Sequence, residues 1–177
     1  MAATPAYTIE REHAADTPLV EALVEEVFGA VMRTRASWHL RQGVPHDPDL
    51  AYLIRGADGA VIGTVSCTPI QVERERVVML GPLAVHPARR TAGMGGALMH
   101  HVLQAARALP EERTGGLVVL VGDRPYYERF GFRPVPHRQI VMPLPVDYDR
   151  VLALELRPGR LEEVRGRALR ADGTTVG

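Results

Sequence analysis

The chain has 177 residues and a mass of 19.4 kDa, with 21 Lys+Arg against 21 Asp+Glu and 46% hydrophobic residues. That length predicts one domain, able to bury roughly 70% of its unfolded surface without a metal or a disulfide. Zero formal net charge argues against broad attraction to nucleic acid or to an anionic membrane, while leaving room for a local anion site. Cys67 is the only cysteine, so no internal disulfide forms, and no His/Cys cluster has zinc spacing. Glu10, Arg11, Glu12 and Asp16 interrupt any apolar leader. The longest nearly apolar stretch, Val77–Val85, falls short of the about 20 residues a bilayer span needs. The expectation is a soluble cytoplasmic protein with no metal, nucleic-acid or membrane partner. Lysine and asparagine are both absent, which fits a GC-rich bacterial genome and removes any side-chain lysine as nucleophile or base.

Residues 1–6 read as a loose tail, followed by a short strand over Thr8–Glu10. Asp16 or Thr17 is expected to cap a helix with Pro18 in its first turn. Leu19, Leu23, Val24, Val27 and Phe28 then recur at helical spacing up to Gly29. A second helix is predicted from Val31 to Arg41, ahead of Gly43 and Pro45. Leu50–Arg55 and Val61–Thr68 are strand-like, and Ala57, Asp58 and Gly59 between them give a hairpin signal. Val77–Val85 reads as a buried strand, bulged or locally unpaired at Gly81-Pro82 because proline has no N–H to donate. A helix over 93–109 follows, then a strand at Leu117–Val121, a short helix at Pro125–Phe130, and strands beginning at Phe132 and Val151. The last dozen residues read as loosely held, with 172–177 as a tail. The order is mixed α/β, and the 93–109 crossover should join two parallel strands.

The most informative stretch runs from His86 to Leu98, through Arg89, Arg90, Thr91, Ala92, Gly93, Met94, Gly95 and Gly96. It lies between a strand and a helix, where free backbone amides and the helix dipole favour an anion. Gly93, Gly95 and Gly96 remove side chains that would hold a phosphate off those amides, and Arg89 and Arg90 add cationic hydrogen-bond donors. No Gly-Lys-Ser/Thr follows, so the P-loop pattern fails. The third glycine of a dinucleotide fingerprint would fall at Leu98, so that pattern fails as well. The plainer alternative is a glycine-rich turn needed only for close packing.

Arg90-Thr91-Ala92-Gly93-Met94-Gly95 fits the Gln/Arg-x-x-Gly-x-Gly/Ala signature of the GNAT-type N-acetyltransferases, which bind acetyl-CoA. Leu80–Pro87 resembles the strand that leads into that signature, and Tyr126–Phe132 resembles the family's Tyr-x-x-x-Gly-Phe segment. Together with Val121–Pro125, the combination is similar to the YhbS-like branch. The resemblance implies one GNAT-type domain over residues 1–177, with the motifs inside 80–132. Its fold would be a mixed, mostly antiparallel sheet with a parallel, splayed strand pair, flanked by helices. It also implies that the pantetheine arm of acetyl-CoA lies along Leu83, Ala84 and Val85, and that the pyrophosphate sits on Arg90, Thr91, Ala92, Gly93, Met94, Gly95 and Gly96. Tyr127 matches the family's tyrosine, a general acid for the departing CoA thiolate; Tyr126 is its neighbour and rival. The acceptor implied is the primary amine of a small molecule or peptide.

The chain departs from the family at Met79, where many members carry a glutamate base, and in lacking an asparagine upstream of the tyrosine. A CoA-binding regulatory module without turnover and a nucleotide-binding α/β protein therefore stand as alternatives. Among other residues, Trp38 and His39 are candidates to line an acceptor pocket, against plain core packing. His100 and His101 point to different helix faces and read as a solvated pair. Glu73 and Glu75 read as a solvated face, Cys67 as a small buried residue, and the arginines of 157–170 as salt-bridged to neighbouring glutamates. A homodimer through the C-terminal strands stays open, with no feature pointing to it.

Overall fold

The computed structural model describes residues 7–90 and 93–177. The expected tail 1–6, and Thr91 and Ala92 of the glycine-rich loop, lie outside them. In chain order the elements are β1 (Tyr7–Arg11), α1 (Thr17–Phe28), α2 (Ala36–Arg41), β2 (Ala51–Gly56), β3 (Val61–Val72), β4 (Glu75–Val85) and α3 (Met94–Ala108). After these come α4 (Glu111–Thr114), β5 (Leu117–Val121), α5 (Arg124–Tyr127), β6 (Arg133–Pro134), β7 (Ile140–Val141), β8 (Val151–Glu155), α6 (Arg160–Glu163) and β9 (Gly166–Arg170). The sheet order is β1-β2-β3-β4-β5-β8-β6, with β9 beside β3 and β7. Pairing is antiparallel except for β4–β5 and the short β7–β9 pair, giving the mixed, mostly antiparallel sheet expected.

Every side chain of β5 is apolar because both of its faces are covered. Val118 and Leu120 join the core beneath α3, while Leu117 and Val119 join a second core on the opposite face. Helix α3 buries Met94, Leu98, Met99, Val102, Leu103 and Ala106, one stripe at 3.6-residue spacing. That stripe contributes on the order of 10 kcal/mol gross, before chain entropy is subtracted. The helix ends where Leu109 turns extended (φ −78°, ψ 149°) ahead of Pro110. Asp16 does stand at the start of α1, but its carboxylate accepts from the His13 N–H and from Arg55 instead of capping the helix.

Two expectations need correction. The helix foreseen over 31–41 is two pieces: a 3-10 turn at Ala30–Thr34, then α2, with Arg35 extended between them. Thr34 Oγ1 donates to the Val31 carbonyl at 2.7 Å, a local bond that competes with helix continuation. Nor are the last dozen residues loose throughout. β9 pairs with both β3 and β7, and its Ala168, like Val164 before it, is buried in the second core. Arg157 pairs with Glu111 and Glu163, and Arg160 with Glu75 and Glu163, so the arginine-rich end is salt-bridged as read.

Candidate active site

β4 and β5 pair only at Val78–Val118 and Met79–Val119, and beyond them the strands part. On the other edge of β4, the register with β3 passes from Cys67–Leu80 to Val65–Leu83, so Gly81 and Pro82 together face Ser66. The expected break therefore falls at Pro82, which has no N–H to lose. Gly81 supplies a φ of 132°, which side chains rarely adopt, and its peptide to Pro82 is cis. From Leu83 to Val85 the β4 edge toward β5 carries no strand partner among the described residues.

A cleft of about 670 Å³ opens along this edge. Its walls include Leu83 and Val85 from β4, Arg90 from the loop, and Gly93, Met94, Gly95 and Gly96 from the start of α3. Of the residues expected here, Ala84 alone among the described ones turns away: it is 2% exposed and pairs with Thr64. Gly93 takes φ 88° at the helix N-cap, a left-handed turn that a side chain would strain. At Gly95 the constraint is space, because a Cβ there would stand 2.7 Å from the Tyr126 hydroxyl.

Arg89 does not serve this cleft. Both of its terminal nitrogens donate to Asp58 at 2.9 Å, pinning the β2–β3 turn to the loop and holding the Asp58 carboxyl down to about 2. Besides Arg90, the cleft wall carries the Arg129 guanidinium and the His100 imidazole. Arg129 lies over the Tyr126 ring at 4.6 Å, and the His100 ring meets Phe130 edge-on at 5.5 Å. His100 is thus a wall residue as well as a solvated one. His101 faces elsewhere, toward Tyr52. Sequence reasoning passed over Arg129, although it sits within the tyrosine motif.

A second cavity of about 380 Å³ lies on the far side of Leu83 and Tyr126, which line both spaces. Tyr127 borders only this one. Its ring packs against Gly122 and meets Tyr126 and Phe132 edge-on at 5.0 Å and 5.9 Å. Burial, reinforced by Tyr126, pushes the Tyr127 hydroxyl up to about 12, against the pull of the Arg150 charge. Burial also raises Tyr126, with Arg129 and Arg90 opposing. The expected acceptor-side residues Trp38 and His39 are not wall residues. Phe28, Met32, Arg35, Ser37 and Arg41 from the same stretch of chain take that place. Asp123 is the carboxylate of the cavity wall. Met79 is fully buried in the second core, and Cys67 is fully buried beneath α3, its thiol pushed up by desolvation. Glu73 and Glu75 pair with Arg167 and Arg160. Among the described residues no group of three or more His, Cys, Asp or Glu could hold a metal ion, and no helix is long and apolar enough to cross a membrane.

A glycine-opened helix start, a splayed strand pair and a tyrosine thus meet at the junction of the two cavities. The family model for the GNAT acetyltransferases matches residues 13–132, and the chain belongs to that family. It is an acyltransferase, of a family whose co-substrate is acetyl-CoA. The uncharacterized N-acetyltransferase YhbS of Escherichia coli strain K12 is 28% identical to it over 127 residues, 71% of this chain and 72% of that protein. The crystal structure of E. coli YhbS in complex with CoA matches with a TM-score of 0.76 and 25% identity, covering 96% of this chain and 92% of that one. A GNAT acetyltransferase of Brucella melitensis, in complex with acetyl-CoA, shares the fold at a TM-score of 0.59 and 23% identity, over 86% and 89% of the two chains. The YhbS-like resemblance stands, and the nucleotide-binding alternative falls with it.

Proposed function

We propose that the protein transfers the acetyl group of acetyl-CoA directly to a primary amine of a small molecule or peptide, with Tyr127 protonating the thiolate that leaves. The observation carrying this reading is the junction of the two cavities at Leu83 and Tyr126. A molecule lying in the glycine-lined cleft presents its end to the cavity that holds Tyr127.

The cleft fits an anionic cofactor with an extended arm. The first-turn amides of α3 are uncovered by side chains at Gly93, Gly95 and Gly96, a Cβ at Gly95 would crowd the Tyr126 hydroxyl, and Arg90 and Arg129 supply positive groups. Over Leu83, Ala84 and Val85 the backbone pairs with β3 on one side, and its edge toward β5 offers hydrogen bonds to a pantetheine arm as it would to an added strand. Acetyl-CoA supplies an activated acetyl thioester.

An N–C bond forms as the C–S bond breaks, and two protons need handling. An alkyl ammonium has a pKa of about 10.4 and must lose its proton to attack. Asp123, exposed on the cavity wall, is the carboxylate on hand to relay that proton to water. Tyr127 gives its own proton to the sulfur. Raised to about 12, its hydroxyl stays loaded at neutral pH; the Arg150 charge steadies the phenolate left behind, and the second proton shed by the newly acylated nitrogen restores it. Tyr126 is the weaker candidate, its hydroxyl standing against Gly95 and its ring beneath Arg129.

The test joins ligand-dependent melting to release of free CoA thiol. Acetyl-CoA at a hundredfold excess over its dissociation constant adds about 2.7 kcal/mol, or roughly 5–11 °C in melting temperature for a chain of this size. That shift, with thiol release in the presence of an amine, is the expected result. A shift without thiol release for any amine, even at high pH, would leave the regulatory CoA-binding module. No shift with either acetyl-CoA or CoA would overturn the reading.

A further inference from the structure

The wall of the second cavity carries three arginines from separate parts of the chain: Arg35 before α2, Arg41 at the end of α2, and Arg150 just before β8. Arg55, Arg113, Arg157 and Arg160 all have carboxylate partners. Among the described residues these three have none. Arg41 is the informative one. It is half-buried, its Nη1 lies 3.2 Å from where a Cβ on Gly81 would begin, and the charge acting on it is another cation, Arg35. Burial and that neighbour bring its guanidinium down to about 10, still charged at neutral pH. Arg35 lies over the Phe28 ring at 5.7 Å, and Arg150 donates Nε–H to the Gly122 carbonyl at 3.3 Å, leaving its terminal nitrogens unassigned.

A desolvated cation facing a second cation is costly unless an anion joins them. Asp123 is the opposing charge of the wall, and it is exposed. The wall also carries apolar side chains, Phe28, Met32, Leu80, Pro82 and Leu120. The cavity, at about 380 Å³, is near the low end for small-molecule sites.

From this arrangement we infer that the acceptor is an amine that also bears a carboxylate, of amino-acid to dipeptide size, with Arg41 as the specificity-determining residue and Arg35 and Arg150 completing the anion site. The planar guanidinium fork matches a carboxylate with two parallel hydrogen bonds. The inference rests on the acetyltransferase reading and narrows its acceptor.

The experiment compares matched acceptors on the whole chain: phenylalanine against phenethylamine, and tyrosine against tyramine, scored by thiol release at a pH where both amines are partly neutral. The carboxylated member of each pair should have a kcat/KM about tenfold higher or more, the scale of one charge-assisted hydrogen bond. Arg41→Gln should shrink that ratio by a similar factor, through the KM of the carboxylated amine, while the acetyl-CoA melting shift persists. Calorimetry adds a readout independent of turnover: N-acetylphenylalanine should bind the CoA-loaded protein more tightly than N-acetylphenethylamine, and Arg41→Gln should remove the difference. Preference for the decarboxylated amines, equal effects of Arg41→Gln on both members, or equal binding of the two products would each overturn the inference. Loss of the acetyl-CoA shift in the wild type would overturn the acetyltransferase reading instead.

Discussion

The Tyr126 hydroxyl stands 2.7 Å from the point where a side chain on Gly95 would begin, so the start of α3 and the short helix α5 close on each other across the cleft. Gly95 leaves the only room for that approach at this position. Alanine is ordinarily better than glycine in a helix by about 1 kcal/mol, so enlarging Gly95 need not unfold α3. Gly95→Glu, which adds both bulk and a negative charge where phosphate is to bind, should abolish the acetyl-CoA melting shift while leaving the melting temperature of the free protein within a few degrees. A variant that still shifts with acetyl-CoA would place the cofactor elsewhere.

Tyr127→Phe removes one oxygen from a ring that is otherwise held by Gly122, Tyr126 and Phe132. The fold and the KM for acetyl-CoA should change little, and kcat should fall by about a hundredfold, the lower range for loss of a general acid. The pH profile adds a sign. Because Tyr127 is raised to about 12 in the folded protein, its loss of the proton lies above the range of ordinary assays. Wild-type turnover should therefore climb with pH as the amine deprotonates, with no alkaline fall below about pH 10. Tyr127→Phe should keep the climb at a lower height. The same drop in Tyr126→Phe, with Tyr127→Phe near wild type, would exchange the roles of the two tyrosines.

The parts of the site readable in the sequence are those where local chemistry leaves little choice. A proline inside an apolar strand forces a break in pairing, and the break is at Gly81-Pro82 facing Ser66. Glycines after an arginine at a strand-to-helix turn open a helix start, and Gly93–Gly96 line the cleft. What stayed hidden depends on distance in the chain. Nothing local about Arg41 or Arg150 says that they share a wall, and Arg89 looks like a phosphate ligand until Asp58 is seen to hold it. β9 escaped notice because Val164 and Ala168 are its side of the core, and the residues between them are polar or small. The helix foreseen over 31–41 shows the reverse failure, where helical periodicity carried across a residue that one threonine bond leaves extended.

Asp47 and Arg113 join the loop before β2 to α4. Arg113 Nη2 lies 2.6 Å and 2.7 Å from the two Asp47 oxygens and 3.1 Å from Asp49, and Asp47 also accepts from the Asp49 amide. The Asp47 side chain is 5% exposed and that of Arg113 38%, so removing Arg113 leaves a buried carboxylate short of a partner, whereas removing Asp47 leaves a cation that water can reach. Asp47→Ala, which removes the buried acceptor of the Asp49 amide, should cost about 1–2 kcal/mol in urea unfolding, with the slope unchanged. Arg113→Ala, which leaves the buried carboxylate without its partner, should also lower the urea midpoint. The double variant should cost clearly less than the sum, because the second substitution removes a group already stranded. Strict additivity would mean that the pair contributes nothing as a pair.

Glu12 presents the opposite situation, a buried carboxylate that lacks an adequate partner. Its side chain is 2% exposed, Oε1 lies 3.6 Å from His46 Nε2, and Oε2 has no hydrogen-bond partner among the described residues. Burial raises its pKa, with Asp16 and Glu21 pushing the same way and His46 opposing. The folded protein thus holds this proton to a higher pH than the unfolded chain does. By linkage, stability is present while Glu12 is protonated and is lost as pH rises from the ordinary carboxylate range through the raised value. Glutamine has nearly the shape of the protonated acid and cannot ionise. Glu12→Gln should therefore match the wild type at pH 4 and exceed it at pH 7.5 by about 1 kcal/mol, measured as a higher urea midpoint. A glutamine variant less stable than wild type at pH 7.5 would mean that the attraction to His46 outweighs the burial of the charge.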